Sequence, residues 1–146
     1  MFKIGIRQDR PGGDGLEARN LLLIDDEPAI QTLVRLVMEG DGWKVLVAGE
    51  GTPGLALARE QHPDVILLDV ALPDMSGLEV CRQLKADPNT ASIPIAMLTA
   101  MAQETDRRAA LSLGADDYVT KPWRPAALIT RVSGLLEKRR SGGNLL

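Results

Sequence analysis

The chain has 146 residues, a length that suits one domain, and its 20 acidic residues outweigh its 17 lysines and arginines to give a net charge of −3. Hydrophobic residues make up 45% and charged residues 25% of the sequence, which excludes a mostly disordered protein. The acidic balance disfavours a general nucleic-acid or anionic-membrane surface. No apolar run approaches the roughly 18 residues that cross a bilayer, and residues 1–10 lack the apolar stretch of a signal peptide.

Cysteine and histidine are too rare for several common kinds of site. Cys81 is the single cysteine and His62 the single histidine, which excludes an intramolecular disulfide and a zinc site built from these residue types. We expect Cys81 on the inward face of a helix and His62 solvated in a turn. Any metal ion would need oxygen ligands, and a cytoplasmic location fits the composition.

The sequence divides into three predicted regions. Residues 1–19 include the turn-forming run PGGDG and are expected to form an irregular or disordered N-terminal arm, with a short edge strand as the alternative. Residues 20–140 show a regular pattern and form the predicted domain. Residues 141–146 are expected to be a flexible tail with no output domain after it.

Five short apolar runs alternate with five helical patterns in the predicted domain. The runs are residues 21–24, 45–48, 65–68, 93–98 and 118–120. Runs without polar alternation are typical of parallel strands that helices cover on both faces. The alternation therefore predicts an α/β fold, a doubly wound five-stranded parallel sheet with five helices on its two faces.

Start and stop residues delimit the predicted helices. Pro28 suits the first turn of the first helix, and Gly40 ends that helix. Thr52 is expected to cap the second helix and Ser76 the third. Gly114 is expected to stop the fourth.

Polar side chains follow four of the five strands at their carboxyl ends. These side chains are Asp25, Asp26, Asp69, Thr99 and Lys121. Any one of them could be an ordinary strand-end residue, but ligands of open parallel sheets bind beyond these ends, where the strand order reverses. Five such residues from four strands therefore predict a functional site.

The chemistry of this set suits phosphoryl transfer. Neighbouring carboxylates repel one another and raise each other's pKa, and a hard divalent cation such as Mg²⁺ relieves that repulsion. An aspartate beside Mg²⁺ and a lysine can act as a nucleophile. Phosphoryl transfer needs mainly positioning and charge neutralisation, which Mg²⁺, the Lys121 ammonium and the Thr99 hydroxyl could supply.

The sequence resembles a response-regulator receiver domain of bacterial two-component signalling. Four ordered motifs carry the resemblance: residues 22–28 (LLIDDEP), 67–77 (LLDVALPDMSG), 97–100 (MLTA) and 114–122 (GADDYVTKP). The match covers about residues 20–140. The resemblance implies a chemotaxis-regulator-like, flavodoxin-like fold with strand order 2-1-3-4-5.

The resemblance also implies roles for the acidic residues. Asp69 matches the phosphoacceptor, which would take a phosphoryl group from a histidine kinase or a histidine phosphotransfer protein. Asp25 and Asp26 match the acidic pair that binds Mg²⁺ together with Asp69, with Asp26 the more direct ligand. The backbone carbonyl of Ala71 matches the remaining protein ligand. Glu27 beside the pair could tune the metal site through water or simply suit the positive end of a helix.

Three further residues match the part of the family site that responds to the phosphoryl group. Thr99 matches the switch hydroxyl, Lys121 the phosphoryl-binding lysine and Tyr118 the aromatic switch. In this family the peptide bond between Lys121 and Pro122 is cis, which costs an X–Pro bond only about 0.5–1 kcal/mol. Trp123 stands where phenylalanine is more frequent, and we expect it to pack rather than to contact a ligand.

Two other functions remain open from the sequence. A phosphatase can also use an aspartate nucleophile with Mg²⁺, but it typically carries an acid two positions later, where this chain has Ala71. A docking module could keep the fold without phosphorylation, although the intact five-residue set argues against it. Ala71 and Met101 also lack polar groups that could position a water, so slow loss of phosphate is expected.

The output surface is expected on the face formed by the fourth helix, the fifth strand and the fifth helix. In one transcription-factor branch of the family this face pairs through salt bridges, and Asp117 with Arg131 matches one such pair. Arg107 matches a second position, but Ala127 replaces its acidic partner. We therefore expect a monomer or a weak, phosphorylation-dependent homodimer.

Overall fold

The structure, a computed structural model, describes residues 19–100, 104–121 and 123–142, without the side chains of residues 104–106 and 142. Four sequence-based expectations lie outside this description. They concern the arm up to residue 18, Met101, the peptide bond before Pro122, and residues 143–146.

Five strands form one sheet. They are β1 (Arg19–Ile24), β2 (Trp43–Ala48), β3 (Val65–Asp69), β4 (Ile95–Thr99) and β5 (Asp117–Thr120). The strands are hydrogen-bonded in the order β2-β1-β3-β4-β5, and every neighbouring pair is parallel. This confirms the predicted fold class and the strand order implied by the resemblance.

Five helices cover the sheet. They are α1 (Pro28–Gly40), α2 (Gly51–Gln61), α3 (Gly77–Ala86), α4 (Glu104–Ser112) and α5 (Pro125–Gly142). Residues of α2, α3 and α4 share one buried cluster, and those of α1 and α5 share the other. None of the helices in the described ranges combines the length and the hydropathy of a membrane span.

Alternate residues of the central strands supply the two halves of the core. In β1, Leu22 and Ile24 face the cluster beneath α2, α3 and α4, whereas Leu21 and Leu23 face the cluster beneath α1 and α5. All four side chains are fully buried. Each such side chain stabilises the fold by about 1.5–3 kcal/mol, so β1 is a rigid support for the polar residues that follow it.

Several element boundaries differ from the sequence prediction. β1 begins at Arg19 and β2 at Trp43, each two residues before the predicted run, and β5 begins one residue early at Asp117. α5 continues through Ser141 to Gly142, so its last turn includes the first two residues of the expected tail. β4 begins at Ile95 rather than at residue 93. The reason is Pro94, which has no N–H for the ladder and contributes only its carbonyl, as the acceptor for Ile66.

Most of the predicted helix ends are confirmed. α1 starts at Pro28 and its last residue is Gly40. The Ser76 hydroxyl accepts a hydrogen bond from the Leu78 N–H at 3.1 Å and so caps α3. Gly114 ends α4 with a φ of +106°, a left-handed conformation that favours glycine.

The predicted cap of α2 is wrong. The helix begins at Gly51, so Thr52 is its second residue, and the N-cap residue Glu50 makes no side-chain hydrogen bond to it. The Asp74 carboxylate, which lies in the loop between β3 and α3, binds the first two N–H groups instead. A cap supplied by another loop removes the need for a local one.

The rare residues lie where the sequence predicts them. Cys81 is fully buried on the inward face of α3, and this burial raises its pKa to about 11, so the thiol stays protonated at neutral pH. His62 is exposed and ends α2 in a left-handed conformation, with a φ of 46°.

Candidate functional site

The carboxyl edge of the sheet brings together residues from four strands. Asp69 is the last residue of β3 and Thr99 the last of β4, while Asp25 and Lys121 directly follow β1 and β5. β1 lies between β2 and β3, so the chain order reverses at this point of the sheet. The site thus occupies the position at which doubly wound sheets bind ligands.

Lys121 is the cationic centre of the site. Its Nζ lies 2.9 Å from Asp25 Oδ2, 2.7 Å from Glu27 Oε1 and 3.7 Å from Asp69 Oδ2. Burial acts to lower the pKa of Lys121, but its hydrogen bonds with Glu27 and Asp25 outweigh that effect, so the pKa lies above its usual value. The ammonium therefore remains charged at neutral pH and offsets part of the local negative charge.

Asp69 is held in an environment that opposes its ionisation. The residue is only 5% exposed, and its Oδ1 accepts a weak hydrogen bond from the Ala71 N–H at 3.3 Å. Burial raises the pKa of Asp69, the negative charge of Asp25 raises it further, and Lys121 only partly opposes them. A cation that entered the site would favour the ionised, nucleophilic form.

Hydrogen bonds to its side chain and to its backbone hold Asp25 in place. The residue is fully buried, and its Oδ1 accepts a hydrogen bond from the Glu27 N–H at 2.9 Å while Oδ2 accepts from Lys121. Its own N–H donates to the Ala48 carbonyl in β2, and its carbonyl accepts from the Gln31 side chain in α1. These bonds satisfy the buried groups and set the direction of the carboxylate.

Three carboxylates lie close enough to share one cation. Ligand oxygens of Asp25, Glu27 and Asp69 all lie within 4.8 Å of one another. Oxygen donors in an accessible site are the ligands that hard divalent cations prefer, so this donor set fits such an ion. Asp26, the predicted direct ligand, is exposed and is not a member of this group, so its role stays a prediction.

Glu27 is the site residue that the sequence analysis left undecided. Asp25, Asp26 and Glu27 follow β1, and the backbone at Glu27 is still extended, with φ −83° and ψ 117°. Successive side chains of an extended segment point to opposite sides. The first and third acids after the strand can therefore share one side, a signal that was present in the sequence.

The loop between β3 and α3 turns back tightly against Asp69. Its ends meet in a bridge between Ala71 and Ser76, and the Gly77 N–H donates to the Val70 carbonyl at 2.7 Å. A Cβ at Gly77 would lie 2.0 Å from the carbonyl oxygen of Asp69. Glycine is therefore required at Gly77 to keep α3 against the end of β3.

Asp74 ties this loop to a second one and was not recognised from the sequence. Its Oδ1 accepts from the Gly51 N–H at 2.7 Å and its Oδ2 from the Thr52 N–H at 2.9 Å. These hydrogen bonds lower the pKa of Asp74 below its usual value. Met75 packs closely on Gly51. A Cβ added at Gly51 would lie 2.6 Å from the Met75 Cγ.

The predicted switch residues are both buried. Thr99 is 2% exposed, and its carbonyl accepts a hydrogen bond from the Lys121 N–H at 2.8 Å. Tyr118 is 8% exposed and pairs with Met97 in the register of β4 and β5, so its ring belongs to the core beneath α2, α3 and α4. Trp123 packs against the other core cluster, as predicted.

The comparisons with known proteins agree with this geometry. A family model described as the response regulator receiver domain matches residues 21–133. The probable transcriptional regulatory protein TcrX of Mycobacterium tuberculosis is 43% identical over 122 residues, which cover 84% of this chain and 50% of that protein. The DNA-binding response regulator MtrA of Mycolicibacterium smegmatis is 41% identical over 120 residues, which cover 82% of this chain and 51% of that protein.

Solved structures give the same result. The receiver domain of sensor histidine kinase PA1611 from Pseudomonas aeruginosa PAO1, solved with a magnesium ion coordinated in its active site cleft, matches with a TM-score of 0.77. It is 31% identical, and the match covers 82% of this chain and 98% of that one. The present chain spans about half the length of the two curated relatives. The family match extends from β1 into α5 and includes the whole strand-end cluster, and the chain belongs to the response regulator receiver domain family.

Proposed function

We propose that Asp69 is the phosphoacceptor of a phosphorylation-activated signalling switch and that its phosphorylation depends on Mg²⁺. The observation that carries the proposal is the setting of Asp69, a buried carboxylate at the end of β3 with the Lys121 ammonium 3.7 Å away. An oxygen nucleophile beside a fixed cation suits a reaction that depends mainly on positioning and electrostatics.

The carboxylates of Asp25, Glu27 and Asp69 would hold the Mg²⁺. Their mutual distances support this set, and the resemblance adds Asp26 and the Ala71 carbonyl. Bound Mg²⁺ would supply positive charge to the phosphoryl oxygens and relieve the repulsion between the acids.

In the proposed reaction, an Asp69 oxygen attacks the phosphorus of a phosphohistidine. The new O–P bond forms as the P–N bond breaks, and the imidazole leaves with the bonding electron pair. Lys121 gives up part of its contact with Glu27 and neutralises a phosphoryl oxygen, and the Thr99 hydroxyl donates a hydrogen bond to another. Hydrolysis of the resulting acyl phosphate by water restores the carboxylate and releases inorganic phosphate.

The chain would catalyse only its own phosphorylation and dephosphorylation. Position 71, where a phosphatase of this type typically carries its general acid, holds the exposed Ala71. The family match favours the receiver function over the phosphatase and over a docking module without phosphorylation.

The phosphodonor would be a histidine kinase or a histidine phosphotransfer protein in the cytoplasm. The output would pass to a protein partner through the face formed by α4, β5 and α5. TcrX and MtrA are described as transcriptional or DNA-binding regulators, and this chain matches about half of each. We propose no direct contact with nucleic acid for the domain described here, whose chain carries a net charge of −3.

Acetyl phosphate with Mg²⁺ tests the phosphoacceptor. We expect one phosphate adduct by intact mass, none in Asp69→Asn, and an undiminished adduct in Asp64→Asn, which changes a carboxylate just before the same strand. An undiminished adduct in Asp69→Asn would refute the assignment. Turnover of many small phosphate esters would instead identify a hydrolase.

Calorimetric Mg²⁺ titration tests the proposed ligands separately. We expect Glu27→Gln and Asp26→Asn each to weaken Mg²⁺ binding, while Glu50→Gln, an acid outside the cluster, leaves it unchanged. If either of the first two variants bound Mg²⁺ as the parent chain does, that residue would be removed from the ligand set.

A further inference from the structure

The loop between β3 and α3 is held both at its ends and at its tip. Near its ends, Ala71 and Ser76 form a bridge with each other. At its tip, the Asp74 carboxylate accepts hydrogen bonds of 2.7 and 2.9 Å from the N–H groups of Gly51 and Thr52, the first two residues of α2. The position of the loop therefore depends on α2 as well as on β3.

Apolar packing holds the same tip. Met75, the residue after Asp74, lies against Gly51, where an added Cβ would be 2.6 Å from the Met75 Cγ. Leu72 and Met75 are partly buried and pack on the core cluster beneath α2, α3 and α4. A movement of the tip away from α2 would break polar and apolar contacts together, which favours a single position of the loop.

Ala71 connects this loop to the candidate site. Its N–H donates a hydrogen bond to Asp69 Oδ1 at 3.3 Å, and its carbonyl is one of the proposed Mg²⁺ ligands. Ala71 is also paired with Ser76, which stands two residues after Asp74. Because a backbone ligand has no rotamers of its own, the loop that carries it sets its position.

Asp74 does not belong to the acidic cluster of the site. Its carboxylate is exposed, and it is not one of the three described carboxylates whose oxygens lie within 4.8 Å of one another. Both of its oxygens accept hydrogen bonds from the start of α2. Salt screens an exposed charge, so an effect of Asp74 on the site has to pass mainly through the loop.

We propose that Asp74 is a positioning residue for Mg²⁺ binding, because it holds the loop tip on α2 and so sets the place of the Ala71 carbonyl beside Asp69. The inference deepens the proposed function and rests on it, since Mg²⁺ and the Ala71 ligand belong to that proposal. Loss of a group that orients metal ligands without touching the metal typically lowers affinity by about 10- to 100-fold. Asp74 acts through a loop, so we expect the lower end of this range.

The coupling must act in both directions. If the cap of α2 positions a metal ligand, bound Mg²⁺ must in turn stabilise the cap, because a coupling free energy between two sites is reciprocal. Hydrogen exchange of the Gly51 and Thr52 amides should therefore slow when Mg²⁺ is added to the parent chain. In Asp74→Ala these amides should exchange faster and should no longer respond to Mg²⁺. The Asn89 amide, which donates to Asp87 Oδ1 at 2.9 Å in an exposed loop, is the internal control and should not respond.

Calorimetric Mg²⁺ titration separates hydrogen bonding from charge and from stability. Asp74→Ala and Asp74→Asn remove the same charge, but asparagine keeps one oxygen acceptor, so Mg²⁺ affinity should fall roughly tenfold in the first variant and clearly less in the second. Leu57→Ala removes a partly buried side chain of α2 and should lower stability without changing Mg²⁺ affinity. Equal affinities in the two Asp74 variants, or an equal loss in Leu57→Ala, would overturn the proposal.

Phosphorylation by acetyl phosphate distinguishes this inference from the proposed function. In Asp74→Ala the half-maximal rate should require roughly tenfold more Mg²⁺, whereas the rate at saturating Mg²⁺ should approach that of the parent chain, because Asp69 and Lys121 are unchanged. A parent chain that takes up no phosphate or binds no Mg²⁺ would refute the proposed function and this inference with it. If the parent chain does both, an unchanged Mg²⁺ requirement in Asp74→Ala, or exchange of the Gly51 and Thr52 amides that ignores Mg²⁺, would refute only the role of Asp74.

Discussion

Lys121 connects three carboxylates from one loop and one strand, so its removal should affect stability as well as the proposed phosphoryl chemistry. In Lys121→Ala, the fully buried Asp25 loses the partner of its Oδ2, and Asp69 loses its nearest cation. We expect the metal-free protein to lose about 1–3 kcal/mol in free energy of unfolding, the usual cost of an unpaired buried polar group. Urea unfolding with EDTA measures this loss.

The same experiment with Mg²⁺ has a distinct expected outcome. A cation held by Asp25, Glu27 and Asp69 would replace the lost ammonium, so saturating Mg²⁺ should recover most of the stability of Lys121→Ala. Lys138→Ala, which removes an exposed lysine paired with Asp116, is the control and should not respond to Mg²⁺. If Mg²⁺ did not reduce the loss of unfolding free energy in Lys121→Ala, the ammonium and the metal ion would not be neutralising the same carboxylates.

Asp69 should destabilise the metal-free protein at neutral pH. Burial and Asp25 raise its pKa in the folded state, so the folded protein binds this proton more tightly than the unfolded chain does. Stability from this group is therefore lost as the pH rises through the ordinary aspartate range towards the raised pKa. We expect Asp69→Asn to be more stable than the parent chain at neutral pH in EDTA, with the difference shrinking in acid.

Urea unfolding between neutral and acidic pH measures this difference. Asp64→Asn is the matched control, because it removes a carboxylate near the other end of β3. A parent chain as stable as Asp69→Asn at neutral pH without metal would show that Lys121 fully compensates the acidic cluster.

At the scale of elements, Asp74 joins the loop after β3 to the start of α2. In Asp74→Ala the N–H groups of Gly51 and Thr52 lose their acceptors, and we expect lower stability and earlier fraying of α2. Because the pKa of Asp74 is lowered, its contribution is present above the ordinary aspartate pKa and is lost as the pH falls through the lowered value.

Hydrogen exchange of the Gly51 and Thr52 amides measures this cap directly. Glu50→Ala is the control, since Glu50 is the N-cap residue and makes no side-chain hydrogen bond to the helix. Asp74→Asn should be intermediate, because one oxygen acceptor remains. Equal exchange in the Asp74→Ala and Glu50→Ala variants would show that the cap contributes nothing.

The same elements explain what the sequence could and could not predict. Apolar runs, Pro28, Ser76 and Gly114 act through local geometry, so the sheet and most helix ends followed from the pattern. The cap of α2 did not, because its donor and acceptor lie 22 residues apart and local spacing carries no trace of that contact. Tertiary packing decides such contacts.

The candidate site, too, contains some features that the sequence predicts and others that it does not. Asp69, Thr99 and Lys121 were predictable because a parallel sheet brings the carboxyl ends of its strands to one edge. The spacing of Asp25 and Glu27 is visible in the sequence, but their grouping also requires the extended backbone that continues after β1. The buried position of Tyr118 depends on how β5 packs, which residue types alone do not show.

The whole molecule is expected to be a monomer at rest. The pair of Asp117 and Arg131 lies within one chain and is partly exposed, so it is worth only about 0–1 kcal/mol and is not available to a second copy without exchange. Arg107 and Ala127 border one groove beside β5, where an acid at position 127 could pair with Arg107 of either chain. Electrostatics at this face therefore oppose pairing.

Ala127→Glu should change this balance. The new carboxylate offsets the positive charge of Arg107 and its neighbours on this face, so we expect stronger beryllofluoride-dependent self-association in sedimentation. Ala127→Gln adds similar bulk without charge and should not strengthen self-association. A tight dimer of the parent chain that ignores both beryllofluoride and Arg131→Glu would contradict this account, because its interface would then lie on a surface that neither the phosphoryl site nor these charges control.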